Sequence, residues 1–424
     1  MAAPSPLLTR KAVVFAKIET TYNEDAIPVE ASDAILVEEP DYTSDPEILE
    51  RKFTRNSLSR LPHRVGRILA GMTFMVEAGS NGKANTATAA NEPVLGRLLR
   101  ACGMASVVMP AGVATVGAVN ASAANSSLTT NMSWAVTAGD NPVEPILYTI
   151  EKDGASTVSI TPDKNAVDSG YDAVQTAVPF TTTTPLQLKD GGGGAVIVPT
   201  FGGNPPLGDK WTVWVYPEGF AYSPVSGGFE SVTLYMYKDG LLHKMPGARG
   251  TVTLEAKAGN FGKFSFTFTG QYVKAIDAPL SSGAVYRQVD PPIFEKAHMS
   301  IDEYPVVVET LNFDLSTTVS VRPDANSPDG YCGVMITDRE VKGGIDPEAT
   351  LVANHDFWDR MESAKEMVFR ARIGETVGNR IWVLAPSTQY TGMTYQDRES
   401  LLVYDAGLAF NGVQGDDEIT FCFA

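Results

Sequence analysis

The chain has 424 residues, 33 basic and 50 acidic, with 43% hydrophobic and 20% charged side chains. A formal charge of −17 disfavours a protein that reads base sequence or adheres to anionic lipid, though not a wall past which nucleic acid slides. The length exceeds one ordinary core and predicts two or three domains. The N-terminal MAAPSPLLTRK carries no apolar run suited to a signal peptide, and no segment approaches the roughly 18 to 20 apolar residues of a membrane span. Cys102, Cys332 and Cys422 are odd in number and widely spaced, which predicts reduced thiols packed as small core hydrophobes.

In chain order, KAVVFAKIET and DAILVE read as short strands. From Glu39 to His63 the chain is charged, lacks periodicity and contains Pro40, Pro46 and Pro62, which predicts a long extended contact arm. Its candidate contact residues are Asp41, Glu47, Glu50, Arg51, Lys52, Arg55 and Arg60. RVGRILAGMTFMVEA alternates again, with a possible bulge at Gly71, and Asn81 to Asn91 reads as a polar loop. A helix then starts at the N-cap candidate Asn91, carries Val94, Leu95, Leu98, Leu99 and Cys102 on one stripe, and stops at Gly103.

Between about Ala111 and Ala221 the composition turns to Ala, Thr, Gly, Asn and Ser, which predicts an inserted β-sandwich of roughly 80 to 100 residues. Small-residue linkers, Ala111 to Thr130 and Gly219 to Gly228, are expected at its flanks. Ser223 to Val273 reads as a three-stranded antiparallel meander. Val232, Leu234 and Met236, then Val252, Leu254 and Ala256, then Phe264, Phe266 and Phe268 form its apolar face. Its polar face is expected to be wet, and the helix at Val94 is its natural cover. Further on, YPVVVETLNFDLSTTVSV supplies strands and VRPDANSPDGYCGVMITD an irregular arm. A second helix opens at Asn354 or Asp356 with Phe357, Trp358 and Met361 on its apolar face, and a closing group of strands follows. The order strand, arm, strand, helix, sheet therefore occurs twice.

Several stretches carry a resemblance: AKIETTY, DAILVEEP, EILERKFTR, PVLGRLLRACGMA, GFESVTLYMYKDGLLHKMPGARGTVTLEAKAG, FSFTFTGQYV and VMITDREVKGGIDPEA. They resemble the tail tube proteins of bacteriophages with long, flexible, non-contractile tails, over most of the chain outside the insert. The resemblance implies a mainly β, α+β chain with two tandem tail-tube domains, each a sheet covered by a helix. The first would span residues 1–111 and 222–280 and the second 281–424, with the sandwich module at 112–221. It also implies a structural virion protein, assembled in the host bacterial cytoplasm, whose rings stack into a hollow tube for DNA ejection. On that model Thr251, Thr253, Glu255, Ser265, Thr267 and Thr269 line the lumen, and the arm reaches the neighbouring ring. If the duplication is real, three chains build a pseudo-hexameric ring; six is the alternative. Tape-measure, tail terminator and tail-tip partners follow from the resemblance alone, and the insert has no counterpart in it.

No catalytic or cofactor pattern emerges from the residues. His63, His243, His298 and His355 have no metal-ligand spacing and read as surface or loop residues. Gly191 to Gly194 lacks the Gly-Lys-Ser/Thr of a phosphate cradle, and no G-x-S-x-G elbow occurs. Neither a cofactor nor membrane insertion is expected. A virion-surface, carbohydrate-binding sandwich bearing Trp211 and Trp214 is the alternative reading, although residues three apart on a strand face opposite ways. A glycan hydrolase is the third.

Overall fold

The structure is a computed structural model that describes residues 7–8, 10–81, 88, 91–110, 115–121, 133–137, 141–163, 172–180, 186–188, 196–200, 207–413 and 415–424. An N-terminal strand group begins with β1 (Ala12–Ile18), β2 (Ala34–Ile35), β3 (Glu38–Leu49) and β4 (Arg64–Glu77), then helix α1 (Val94–Ala101) and β5 (Met104–Met109). A module follows, with β6 (Thr115–Ala121), β7 (Ser133–Thr137), β8 (Ile146–Lys152), β9 (Thr157–Pro162), β10 (Gln175–Pro179), β11 (Leu186–Gln187), β12 (Val196–Thr200) and β13 (Lys210–Tyr216). The chain returns through β14 (Gly219–Pro224), β15 (Val232–Lys238), β16 (Leu241–Lys257), β17 (Lys263–Gln271) and β18 (Ile276–Asp277). A C-terminal strand group opens with β19 (Ser300–Ile301), β20 (Tyr304–Pro305), β21 (Thr310–Asp314), β22 (Thr317–Pro323), β23 (Tyr331–Arg339) and β24 (Lys342–Ile345). Helix α2 (Phe357–Glu362) precedes β25 (Met367–Ile373), β26 (Ile381–Arg398), β27 (Leu401–Asn411) and β28 (Thr420–Phe423). With 52% strand and 4% helix, the chain is mainly β and antiparallel.

The meander is present, but its middle strand is a single run of 17 residues. The first part of β16 pairs with β15 and the rest with β17, so one strand serves two sheet layers. A register shift between Val232 and Leu234, opposite Pro246 and Gly247, makes the change of layer. β26 repeats the arrangement, pairing first with β25 and then with β27, and the matching register shift lies between Met367 and Phe369, opposite Pro386 and Ser387. The pairing pattern recurs throughout. In the N-terminal group β2 pairs β1, β1 pairs β15, β17 pairs β4 and β4 pairs β3. In the C-terminal group β20 pairs β19, β19 pairs β25, β27 pairs β24 and β24 pairs β21.

One core joins both groups. Leu95, Leu98, Leu99 and Cys102 of α1 are buried with Val252, Leu254, Phe264, Phe266 and Phe268, as the stripe predicts, while Val94 packs at the margin. Phe264 and Phe313 both meet Phe421 edge-on, with centroids 5.6 and 5.2 Å apart, and so bridge the two groups. In α2, Phe357 is buried and Trp358 and Met361 pack partly against the same core.

Several expectations fail for stated reasons. The reverse face of β15 is not wet: Ser231, Thr233 and Tyr235 are buried. The segment after β1 lies over them, held by the Glu19 carboxylate, which accepts from Ser231 Oγ at 2.6 Å, Thr233 Oγ1 at 2.7 Å and the Gly247 amide at 2.6 Å. Helix α1 starts at Val94 with Pro93, not Asn91, before it and no side-chain cap; in α2, Asp356 is the cap and accepts from the Asp359 amide. No bulge occurs at Gly71; the register shifts of β3 against β4 lie at Glu38/Asp41 and Pro46/Ile48. The extended stretch after Glu39 is strand as far as Leu49, because its backbone pairs with β4 despite two prolines. The second arm is likewise a hairpin, β22 with β23. Residues 115–121 and Gly219–Pro224 are paired strands, not linkers. Parts of the Asn81 to Asn91 loop and of the first linker, and all of the Gly191 to Gly194 tip, lie outside the described residues.

His355 is buried rather than exposed, stacked 4.2 Å from Tyr304 and edge-on to Phe357 at 4.5 Å. Burial pushes its pKa down to about 4, assisted by Arg360 and Lys365 and opposed by Asp302 and Asp356. The unfolded chain binds this proton near pH 6.5 and the folded chain only near pH 4, so stability falls as pH drops through that window. Between pH 7 and pH 4.5 the expected loss is about 2–3 kcal/mol, at about 1.4 kcal/mol per pH unit. Denaturant titrations at pH 7 and pH 4.5 should show a smaller loss for His355→Phe than for the parent; an equal loss in both would rule this origin out.

Candidate assembly surfaces

Hydrogen-bonded pairing runs without interruption through β3, β4, β17, β16, β21, β24, β27 and β26. The junction is β16 with β21, where Thr253 opposes Asp314 and Lys257 opposes Thr310. Directly opposed residues in antiparallel strands share a face, so rows can be followed across the sheet. One row is Met75, Ser265, Thr253, Asp314, Lys342, Ala409 and Gln389. A second is Glu77, Lys263, Glu255, Asn312, Gly344, Gly407 and Gly392, and a third joins Asp41, Thr73, Thr267 and Thr251. The alternate rows, such as Phe74, Phe266 and Val252 or Val76, Phe264 and Leu254, point into the core.

The structure therefore brings Thr251, Thr253, Glu255, Ser265, Thr267 and Thr269 together on one face. Glu255 and Thr267 are exposed and the other four half-buried. Thr73, Asn312, Asp314, Lys342, Asp405 and Gln389 extend that face beyond what local alternation reveals. Glycine and small polar side chains dominate it. Among its charges, Lys263 donates to Glu38 at 2.6 Å, and this hydrogen bond raises the lysine's pKa.

An open groove of about 1010 Å³ borders the same face, lined in part by Arg339, Lys342, Asn411, Asp416 and Glu418. Arg339 is paired with both Glu418 and Asp416, the latter at 3.0 Å, so these acids hold the β23 hairpin to the C-terminal segment. Among the described residues, no group of three or more His, Cys, Asp or Glu side chains is placed to hold a metal ion.

Two edges of the eight-strand run differ from the rest. Among the described residues β3 pairs only with β4, and the outer part of β26, Thr391 to Arg398, pairs only with β27. Asp41 belongs to the sheet rather than to a projecting arm, since it opposes Thr73. The projecting part is the outer hairpin around residues 50–63; at its base, on β3 and β4, Glu47 pairs with Arg67 at 3.2 Å, and within it Glu50 pairs with Lys52 at 3.1 Å. There Arg51 covers Phe53 at 5.7 Å, Arg55 donates to the Ser59 carbonyl, and Arg60 is exposed. Phe53 and Leu58 are also exposed.

The β6 to β13 module is fixed to the body by buried charge. Its strands form a five-stranded sheet and a three-stranded one, with a separate core around Tyr148, Ile160 and Trp211. Trp214 faces the other way and packs with Trp382, Cys422 and Met109 of the body. Next to it, Arg370 donates to Asp163 at 3.0 Å and to Glu144 at 3.3 Å, and Arg372 donates to Glu144 at 3.1 Å. Both guanidinium groups lie over the Trp382 ring, at 4.9 and 5.3 Å. Nothing local in the sequence marks this contact, because its members lie more than 200 residues apart.

No protein-family model matches the chain, and no curated protein sequence matches it.

Removing one member of a buried ion pair strands the others without solvent, at a typical cost of about 3–5 kcal/mol. Glu144→Ala should lower stability by that order and open the module to limited proteolysis. A variant as stable and as protease-resistant as the parent would show that the cluster does not hold the module.

Proposed function

We propose that the chain is the subunit of a phage tail tube of the long, non-contractile type, a structural virion protein that polymerises into stacked rings. The observation that carries this reading is the strand order β3, β4, β17, β16 followed by β21, β24, β27, β26. The second set repeats the pairing of the first, and the two join last strand to first strand. This is a head-to-tail contact between two similar units within one chain. A heterologous contact of that kind leaves a free copy of each partner at the ends, here β26 and β3, and repetition gives a ring where the rotation between units closes and an open filament where it does not.

In the proposed ring, β26 of one copy extends the sheet onto β3 of the next. Three copies contribute six units, which makes a homotrimeric, pseudo-hexameric ring the favoured form. Closure removes the two exposed edges and gives a continuous inner barrel. The rows through Thr251, Thr253, Glu255, Ser265, Thr267 and Thr269 then form the inner wall. A wall of small and acidic side chains repels phosphate and lets DNA pass without adhering. The outer hairpin serves subunit contacts, and the β6 to β13 module is an inserted β-sandwich decorating the outside. Tape-measure, terminator and tip proteins are partners by resemblance, with assembly in the bacterial cytoplasm and residence in the virion tail.

The carbohydrate-binding alternative finds less support, since Trp211 and Trp214 are both packed in cores on opposite faces of β13.

Electron microscopy and sedimentation of the purified chain over a wide concentration range test the proposal. Rings or tubes are expected at high concentration, and Thr394→Pro on the free β26 edge should abolish them while leaving a folded monomer. A parent chain that stays monomeric at every concentration, with or without tail-tip components, would contradict it.

A further inference from the structure

The hairpin of β22 with β23 lies across the end of the N-terminal strand group, and its contacts are specific. Thr317 Oγ1 donates to the Cys102 carbonyl just past α1. Arg249 donates to the Val334 carbonyl at 2.9 Å while stacking on Tyr22, whose hydroxyl bonds the same Val334 carbonyl. At the tip, Gln271 donates to Asp329 and Tyr331 donates to the Ile68 carbonyl. So one unit's hairpin crosses the junction and clasps the unit before it. The equivalent hairpin, between β3 and β4, belongs to the first unit, and among the described residues no strand group of this chain receives it.

The recipient surface has a counterpart in the C-terminal group. Arg249 opposes Thr269, two residues before the end of β17; Gln389 opposes Ala409, two residues before the end of β27. Asn411 thus stands where Gln271 stands. Ala364 follows α2 with positive φ, as Gly103 follows α1. Gln389 reaches back to the Ala364 carbonyl, and Glu362 and Glu366 on either side are exposed. Charge fits this pairing. Residues 47–67 carry six basic side chains against two acidic ones, on a chain whose total is −17. A basic finger on an acidic body favours a second copy as the occupant.

We infer that the hairpin spanning residues 47–67 docks on the C-terminal strand group of the preceding copy in the same ring, the one whose β26 meets its β3, beside Gln389, Asn411, Glu362 and Glu366. This differs from an arm that reaches the adjacent ring, and it rests on the head-to-tail ring reading. The hairpin closes each chain-to-chain junction as β22 and β23 close the junction inside the chain.

The test places a photo-crosslinking benzoylphenylalanine at Phe53 in full-length chains, mixes light and isotope-labelled copies, and maps crosslinked peptides in assembled particles. Intermolecular crosslinks to residues 357–366 or 387–412 are expected. Crosslinks to residues 10–110, to the β6 to β13 module, or none in assembled particles would overturn the inference while leaving the ring intact. Failure of all assembly would instead remove the ring reading and the inference with it. As a second readout, Arg51→Glu with Lys52→Glu should raise the concentration needed for assembly at least tenfold, and an unchanged threshold would count against the docking.

Discussion

Unpaired backbone amides and carbonyls at the edges of a sheet are the constraint from which the rest follows. A long exposed edge invites pairing with another chain, and proteins that remain monomeric blunt such edges. Here β16 and β21 solve the problem inside the chain by joining two four-stranded runs, while β3 and the outer half of β26 are left open. No closing element from the same chain covers either edge among the described residues. The inner junction is therefore a working example of the contact that the proposal places between chains.

The two long strands make this geometry possible. Because β16 and β26 each change layer half-way, the face toward the proposed lumen and the outer layer share one backbone. The outer layer then carries what is added. β5 and β14, the stems of the module, pair with each other, and β14 pairs with β28 of the C-terminal group. The Arg370, Arg372, Glu144 and Asp163 cluster over Trp382 then sets its orientation. Burying such charges is costly unless each is paired, and the reward is a fixed pose rather than added stability.

Local chemistry was legible in the sequence, and distant pairing was not. Alternation located β15, β16 and β17 and assigned Val252, Leu254 and the three phenylalanines to the core. The stripe through Leu95, Leu98 and Leu99 located α1, and Asp356 was readable as a cap. The failures share a cause. Glu39 to Leu49 and Val321 to Asp338 looked irregular because proline and charge mask strands whose order comes from a partner strand. The wet face expected for β15 became buried because Glu19, more than 200 residues away in sequence, satisfies Ser231 and Thr233. The lumen candidates on β16 and β17 were found by period-two reading, whereas Asn312, Lys342 and Gln389 entered the same face only through register. His355 was missed because burial against Tyr304 and Phe357 leaves no mark on local periodicity.

The most direct test of the central claim is a cryo-electron reconstruction of assembled particles with chains counted per ring. The account predicts three chains, six similar inner-wall units, and β26 of each chain hydrogen-bonded to β3 of the next. Six chains per ring, or a ring whose inner wall excludes the strands carrying Thr253 and Ser265, would contradict it.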